Sequence, residues 1–333
     1  MTPDHPQPAP AMMEGGAVVA VVGSIHMDRY AHLNHFPVAG ETVVAETSTR
    51  GVGGKGANQA WAAARAGARV HLIGAVGADG DGKMALELLA GELDVSAVDV
   101  VDDSTGSALV ALDPDGQNLI VVMPGAGRMV TPDRVDAVLS ALSPGVVLCQ
   151  GELGAAVIEQ TARTASRIGA RYVLNLAPYV KVADEALAVA DPLVVNETEA
   201  MALLGQPVVG DGLPVAEAER HAMQLASTSA RSVVITLGGA GAVVCEAGTS
   251  SHMPAPTPAH VVDSTGAGDV FTGALTSALA SGASVTEAVR HGVAAGAIAV
   301  TRFGTTTAAP SADELRQLLT APADQAWPLS GEL

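Results

Sequence analysis

An α/β fold, with a mostly parallel central sheet flanked by helices and a small antiparallel β unit projecting from it, is predicted by three observations. Strand-like apolar runs alternate with helix-like ones, two segments break that rhythm with alternating patterning and turn signals, and the apolar residues are aliphatic. Of 333 residues, 48% are hydrophobic but only 2% aromatic, so Ala, Val and Leu must fill the core.

Taken in order, residues 1–16 hold Pro3, Pro6, Pro8 and Pro10 without a basic region or apolar signal core, and read as a disordered tail. A single domain is expected over 17–325. Residues 18–22 are a continuous apolar run, as a strand buried on both faces requires. Residues 29–50 alternate around a turn at Val38-Ala39-Gly40, and 104–122 alternate around Asp113-Pro114-Asp115-Gly116; both read as projecting antiparallel strands. An Ala-rich helix over 59–66 stops at Gly67 and leads to a strand over 70–76 and a helix over 84–89. Strands over 146–149, 172–176, 193–196 and 232–236 then enclose helices over 155–168 and 216–226. Ala259-His260-Val261-Val262 reads as a strand end before a helix over 270–280.

The formal charge of −18 argues against nucleic acid or anionic membrane as partners. Mean hydropathy of +0.33 comes from aliphatic content, since no apolar stretch reaches the ~18 residues of a membrane span. A cytoplasmic location is expected. Cys149 and Cys245 each lie in an apolar strand-like run and read as buried thiols.

The most informative segment is Asp263-Ser264-Thr265-Gly266-Ala267-Gly268-Asp269. Gly266, Ala267 and Gly268 form a turn at a helix start, where free backbone N–H groups and the helix dipole attract an anion and small side chains allow close approach. Asp269 would sit beside that anion, suited to taking a proton from an attacking hydroxyl. Turn glycines and a first-turn helix carboxylate would look the same in isolation. A second cluster, Gly51-Val52-Gly53-Gly54-Lys55-Gly56-Ala57-Asn58, also precedes a helix and adds a cation and an amide. It is neither a dinucleotide fingerprint, because Thr47-Ser48-Thr49-Arg50 before it is not an apolar strand, nor a Walker A loop, because Lys55 and Lys83 are followed by Gly56 and Met84.

These two segments resemble the signature motifs of the ribokinase-like carbohydrate kinase family. The likeness runs from about residue 17 to 319 through Gly23-Ser24-Ile25-His26-Met27-Asp28, Gly40-Glu41-Thr42-Val43, Ser104-Thr105-Gly106, Asn196-Glu197-Thr198-Glu199, Thr236-Leu237-Gly238-Gly239-Ala240-Gly241 and Val300-Thr301-Arg302 with Gly304. The resemblance implies a kinase that transfers the γ-phosphoryl of ATP to the primary 5-hydroxyl of a sugar, D-ribose foremost. The alternatives are another sugar or a nucleoside, or a non-catalytic sugar- or nucleotide-binding regulator. Asp269 is implied as the general base, with Gly266, Ala267 and Gly268 as the anion hole. The sugar falls to His26, Asp28, Gly54, Lys55, Gly56, Asn58, Glu152 and Asp269. ATP falls to Asn196, Thr236, Leu237, Gly238, Gly239, Ala240, Gly241 and Gly268, and hydrated Mg2+ to the neighbourhood of Glu199. The resemblance also implies an activating K+ held mostly by carbonyls of Asp263, Thr265, Ala299, Arg302, Gly304 and Ala308, and a homodimer through a β lid formed by 29–50 and 104–122.

Asn196 and Glu199 also have the spacing of an ordinary helix cap. Two departures from the family pattern stand out: Ala308 where a Ser hydroxyl is frequent, and His26 where an Asn commonly contacts the sugar. An imidazole is bulkier and, when neutral, offers one donor and one acceptor. His26, His32 and His35 lack the companions of a metal shell.

Overall fold

The computed structural model describes residues 16–114, 118–207 and 212–321. The expected tail up to residue 15, the turn residues Asp115 and Gly116, and the domain end beyond 321 lie outside them. The strands are β1 (Val19–Val22), β2 (His26–His32), β3 (Thr47–Gly53), β4 (Val70–Gly77), β5 (Val98–Val101), β6 (Ser107–Leu112), β7 (Asn118–Met123), β8 (Val146–Gln150), β9 (Arg171–Asn175), β10 (Ala190–Asn196), β11 (Val233–Thr236), β12 (Ala242–Glu246) and β13 (Thr249–Met253). The helices are α1 (Lys55–Arg65), α2 (Gly80–Leu89), α3 (Pro132–Leu142), α4 (Ala155–Ile168), α5 (Asp184–Ala188), α6 (Glu197–Leu203), α7 (Val215–Thr228), α8 (Ala267–Ala280), α9 (Val285–Ala299) and α10 (Ala312–Thr320).

Among the described residues, nine strands form the main sheet in the order β13-β12-β11-β10-β9-β8-β1-β4-β5. Pairing is parallel from β11 to β5, and β12 and β13 close one edge as an antiparallel hairpin. The alternation of strand side chains divides the core in two. Ala20, Val22, Val147, Cys149, Leu174 and Val195 pack with α3, α4 and α7 on one face. Val19, Val21, Leu72, Leu148, Val173 and Val194 pack with α1, α2, α8 and α9 on the other. Both cysteines are buried free thiols, as expected, and burial pushes Cys149 up to about 12.

Because β1 lies between β4 and β8, the chain winds away from it in both directions and leaves a crevice beyond the strand C-termini. The small sheet stands over this crevice in the order β3-β2-β6-β7. Its outer pairs, β2 with β3 and β6 with β7, are antiparallel, but β2 and β6 meet in parallel because they enter from different strand ends of the main domain. Within 29–50, only the flanks are strand; residues 33–46 are irregular, with Val44 exposed.

One expectation fails here. Residues 259–262 are not a strand end: β13 stops at Met253, and Val261 and Val262 are 65% and 52% exposed on the loop leading to α8.

Helices α1 and α8 cross closely at Gly273, where a Cβ would stand 2.6 Å from the Gln59 carbonyl oxygen and 2.5 Å from Ala62 Cβ. Gly273→Ala must therefore push the helices apart. We expect a loss of about 1–3 kcal/mol in denaturant unfolding, together with lower kinase activity; unchanged stability would contradict the packing.

Candidate active site

The crevice collects residues from the ends of successive strands. Ser24, His26 and Asp28 follow β1, Glu152 follows β8, Asn175 ends β9, Asn196 ends β10 and Thr236 ends β11. Helix α1 begins here because Gly54 takes φ 84°, and a Cβ on it would press on the His26 N–H and the Ser24 carbonyl. Gly56 lies so close to Gly23 that a Cβ on either would collide with the other's backbone.

Lys55, Asn58 and Gln59 occupy one face of α1, at the i, i+3 and i+4 spacing of helical neighbours. All three aim at Asp269, in the first turn of α8. Asn58 Nδ2 donates to Asp269 Oδ2 at 3.0 Å, Gln59 Nε2 donates to Oδ1 at 2.8 Å, and Lys55 Nζ lies 3.9 Å from Oδ1. The Asp269 carboxylate holds the Lys55 ammonium above its usual range, against burial. Asn58 Oδ1 is buried without a partner, an acceptor that a ligand hydroxyl can satisfy.

Glu152 is tied on one side: its Oε2 accepts the Lys55 N–H at 2.9 Å and the Ser24 hydroxyl, which fixes the α1 N-terminus. Asp28 is buried, accepts the Ala108 N–H at 3.0 Å and lies 3.9 Å from His26 Nδ1. Burial raises its carboxyl to about 7, opposed by the Ala108 hydrogen bond and reinforced by Glu152 and Asp269. His26 is also buried, which lowers its imidazole, with Glu152 pulling the other way; its ring packs against Gly106.

The turn before α8 is the one predicted to bind an anion. Gly266 takes φ 74°, the first intrahelical bond runs from Val270 N–H to its carbonyl, and a Cβ on Gly268 would meet nothing within 4 Å. The Ala267 N–H makes only a long 3.3 Å bond to Ser264. Beside the turn lies a cavity of about 510 Å³ lined by Thr236, Gly238, Gly239, Gly241, Ala267 and Gly268, with apolar walls that include Val261, Phe271, Val293 and Val300.

Three residues predicted for ATP do not line this cavity; of these, Leu237 is buried in the core, and the Ala240 carbonyl accepts from His252 Nε2 at 2.7 Å. Sequence reasoning missed the apolar walls, which share the pattern of core residues. Asn196 also lies outside the lining and forms a capping box with Glu199, the plainer of the two expectations for that pair. Glu199 is nevertheless buried and within electrostatic reach of Lys55 and Asp269; burial raises its carboxyl. A carboxylate at that depth suits a hydrated Mg2+, which needs few protein ligands.

Asp263 links the two loops expected to hold K+: its Oδ1 accepts Thr265 N–H at 2.9 Å and its Oδ2 accepts Gly304 N–H at 3.1 Å. The Ala299 carbonyl accepts the Arg302 N–H, the Arg302 side chain pairs with Glu314, and Ala308 is buried in an apolar cluster. The second loop also touches the small sheet, through Phe303 against Tyr30 and Thr305 Oγ1 to the Val52 carbonyl, and Thr305 contacts Gly266. Asp263 thereby braces the two loops against each other. Among the described residues no cluster of His, Cys, Asp or Glu could hold a metal, and no helix is long and apolar enough to cross a membrane.

The model of the pfkB family carbohydrate kinases matches residues 17–312. A ribokinase of Haemophilus influenzae is 33% identical over 308 residues, covering 90% of this chain and 98% of its own. A ribokinase of Arabidopsis thaliana is 31% identical, covering 90% of this chain and 80% of its own. The solved Arabidopsis thaliana ribokinase complexed with ribose and ATP superposes with a TM-score of 0.82 at 29% identity, over 92% of this chain and all of that one. A Burkholderia thailandensis nucleoside kinase in complex with inosine, at 21% identity and TM-score 0.75 over 91% of this chain and 96% of its own, shares the fold. With its family model spanning nearly the whole described domain and relatives above 30% identity over nine-tenths of its length, the chain belongs to the pfkB family of carbohydrate kinases.

Proposed function

We propose that this enzyme transfers the γ-phosphoryl group of ATP to the primary 5-hydroxyl of D-ribose, giving D-ribose 5-phosphate and ADP. The observation that carries this reading is Asp269, held by two amide donors and a neighbouring ammonium from α1, with the turn of α8 on one side and the buried carboxyl of Asp28 nearby. The sugar lies among Asp28, His26, Gly54, Lys55, Gly56, Asn58 and Glu152. Asp269 removes the proton from its primary hydroxyl, and the resulting oxygen attacks the γ-phosphorus in line. N–H groups of Gly266, Ala267 and Gly268 meet the charge on the transferring group, with Lys55 nearby. Glu199 would hold the waters of Mg2+, which supplies charge neutralisation on the phosphates when bound. The nucleotide occupies the cavity beside Gly238, Gly239 and Gly241.

His26 favours a second reading, a different sugar or a nucleoside, because a buried imidazole stands beside Asp28 at the sugar site. A coupled assay of ADP formation over pentoses, hexoses and nucleosides decides between them. D-ribose is expected to give the highest kcat/KM, with His26→Asn changing it only modestly. Another acceptor clearly above ribose would overturn the assignment, and a gain for ribose in His26→Asn would show that the imidazole had reshaped the pocket. No ADP formation with any acceptor would identify a binding protein instead.

A K+ between the Asp263 and Gly304 loops would steady the Gly266 turn through Thr305. Potassium is therefore expected to raise kcat over sodium at equal ionic strength, and equal rates would remove the cation from the mechanism. The homodimer is favoured by the free edge of the lid, where Leu119, Ile120, Val121, Val122 and Met123 of β7 are each nearly half exposed. Sedimentation should find a dimer that Val121→Lys dissociates; a wild-type monomer would refute it.

A further inference from the structure

We propose that Gln59 and Asn175 are positioning residues that set the orientation of the catalytic carboxylate through a chain of amides of fixed polarity. The proposal rests on the reading of Asp269 as general base. Gln59 is fully buried and Asn175 nearly so. Asn175 Nδ2 donates to the Val194 carbonyl at 3.1 Å, on the neighbouring strand β10. A carbonyl can only accept, so this contact fixes which end of the Asn175 amide carries the NH2 group. Asn175 Oδ1 must then face Gln59, whose Nε2 donates to it at 2.8 Å. The second hydrogen of the same Nε2 is left to Asp269 Oδ1, also at 2.8 Å.

A flipped Gln59 would set its Oε1 against two acceptors, Asn175 Oδ1 and Asp269 Oδ1, at hydrogen-bond distance. The β10 backbone thus determines that a donor, never an acceptor, meets the base. In this arrangement Gln59 Oε1 is buried with no partner. An unpaired buried oxygen is destabilising, and its presence fits a side chain retained for its two donations. Asn58 holds the other carboxylate oxygen, so together the two amides fix the plane of Asp269 and direct its remaining lone pairs at the sugar hydroxyl. Among the described residues the Gln59 side chain bonds Asn175 and Asp269, not Asp28 or Glu152, and it does not line the cavity beside Gly268, so its effect passes through Asp269.

The test combines Gln59→Met, which keeps the volume and removes the donor, with Asn175→Leu and the double variant. With saturating ATP and sugar, Gln59→Met should lower kcat about 10- to 10²-fold while both KM values stay within about threefold. Asn175→Leu should lower kcat less, because Gln59 can still donate in one of its two amide orientations. The double variant should be no slower than Gln59→Met alone, since Asn175 acts only through Gln59. Thermal melts identify folded variants, and if Gln59→Met does not fold, Asn175→Leu alone still reads the kcat against KM split. A kcat within twofold of wild type for folded Gln59→Met, a fall expressed mainly in KM, or additive losses in the double variant would overturn the relay. Failure of the general-base reading is separate: it would appear as retained activity in Asp269→Asn with Gln59 intact.

Discussion

Asp269→Asn is expected to lower kcat by at least about 10² to 10⁴ while leaving ATP affinity near that of wild type. The first part of that loss is chemical: an amide cannot take the proton of the attacking hydroxyl. A second part is structural. Both oxygens of Asp269 already accept hydrogen bonds, one from Asn58 Nδ2 and one from Gln59 Nε2. The new amide must turn an NH2 group towards one of those donors, and Lys55 loses its neighbouring charge. The cavity proposed for the nucleotide is built from Gly238, Gly239, Gly241 and apolar residues of α8 and α9, none of which depends on that carboxylate. Stopped-flow kinetics with equilibrium nucleotide binding on the same sample separates the two quantities. Retention of more than about a tenth of wild-type kcat would remove Asp269 from the role of base.

The main architecture was legible because a doubly covered sheet imposes a simple pattern. A strand buried on both faces must be continuously apolar, as Val19-Ala20-Val21-Val22 is, while helices α4 and α7 carry apolar residues on one face only. The same pattern failed at residues 259–262, where Val261 is apolar for another reason: it borders the cavity beside Gly268. An apolar wall awaiting a ligand and an apolar strand awaiting a sheet have the same composition. The turn before α8, with Asp269 in the first helical turn, was legible because small residues directly before a helix serve a local geometry. Gln59 and Asn175 were not. In an Ala-rich helix a glutamine reads as a solvent-facing residue, and its partner Asp269 lies 210 residues further along the chain. Only the crossing of α1 and α8 at Gly273 brings them together. The lid strands were visible from their alternation, but the parallel meeting of β2 and β6 depends on where each leaves the main sheet, which no local pattern records.

Asp28 should make sugar binding sensitive to pH near neutrality. Burial raises its carboxyl to about 7, with Glu152 and Asp269 adding to the shift and the Ala108 N–H opposing it. In its ionised form it can accept two hydrogen bonds from sugar hydroxyls; protonated, it loses much of that capacity. The KM for the sugar is therefore expected to be nearly constant above about pH 7.5 and to rise as pH falls through 7, approaching tenfold per unit for a single proton. Stability should move the other way. A carboxyl raised on folding contributes stability that is fully present below its unfolded value and is lost as pH rises through about 7, so the sugar-free protein bears a buried charge at pH 8 that it sheds in acid. Asp28→Asn removes that charge and keeps an oxygen for the Ala108 N–H. It should raise Tm at pH 8 while raising the sugar KM by about 10- to 10²-fold, the loss of charge-assisted hydrogen bonds. The pH dependence of KM below 7.5 should flatten in the same variant. A sugar KM in Asp28→Asn equal to that of wild type would place the sugar elsewhere in the crevice, and a flat wild-type KM from pH 8 to 6 would mean that Asp28 stays ionised throughout.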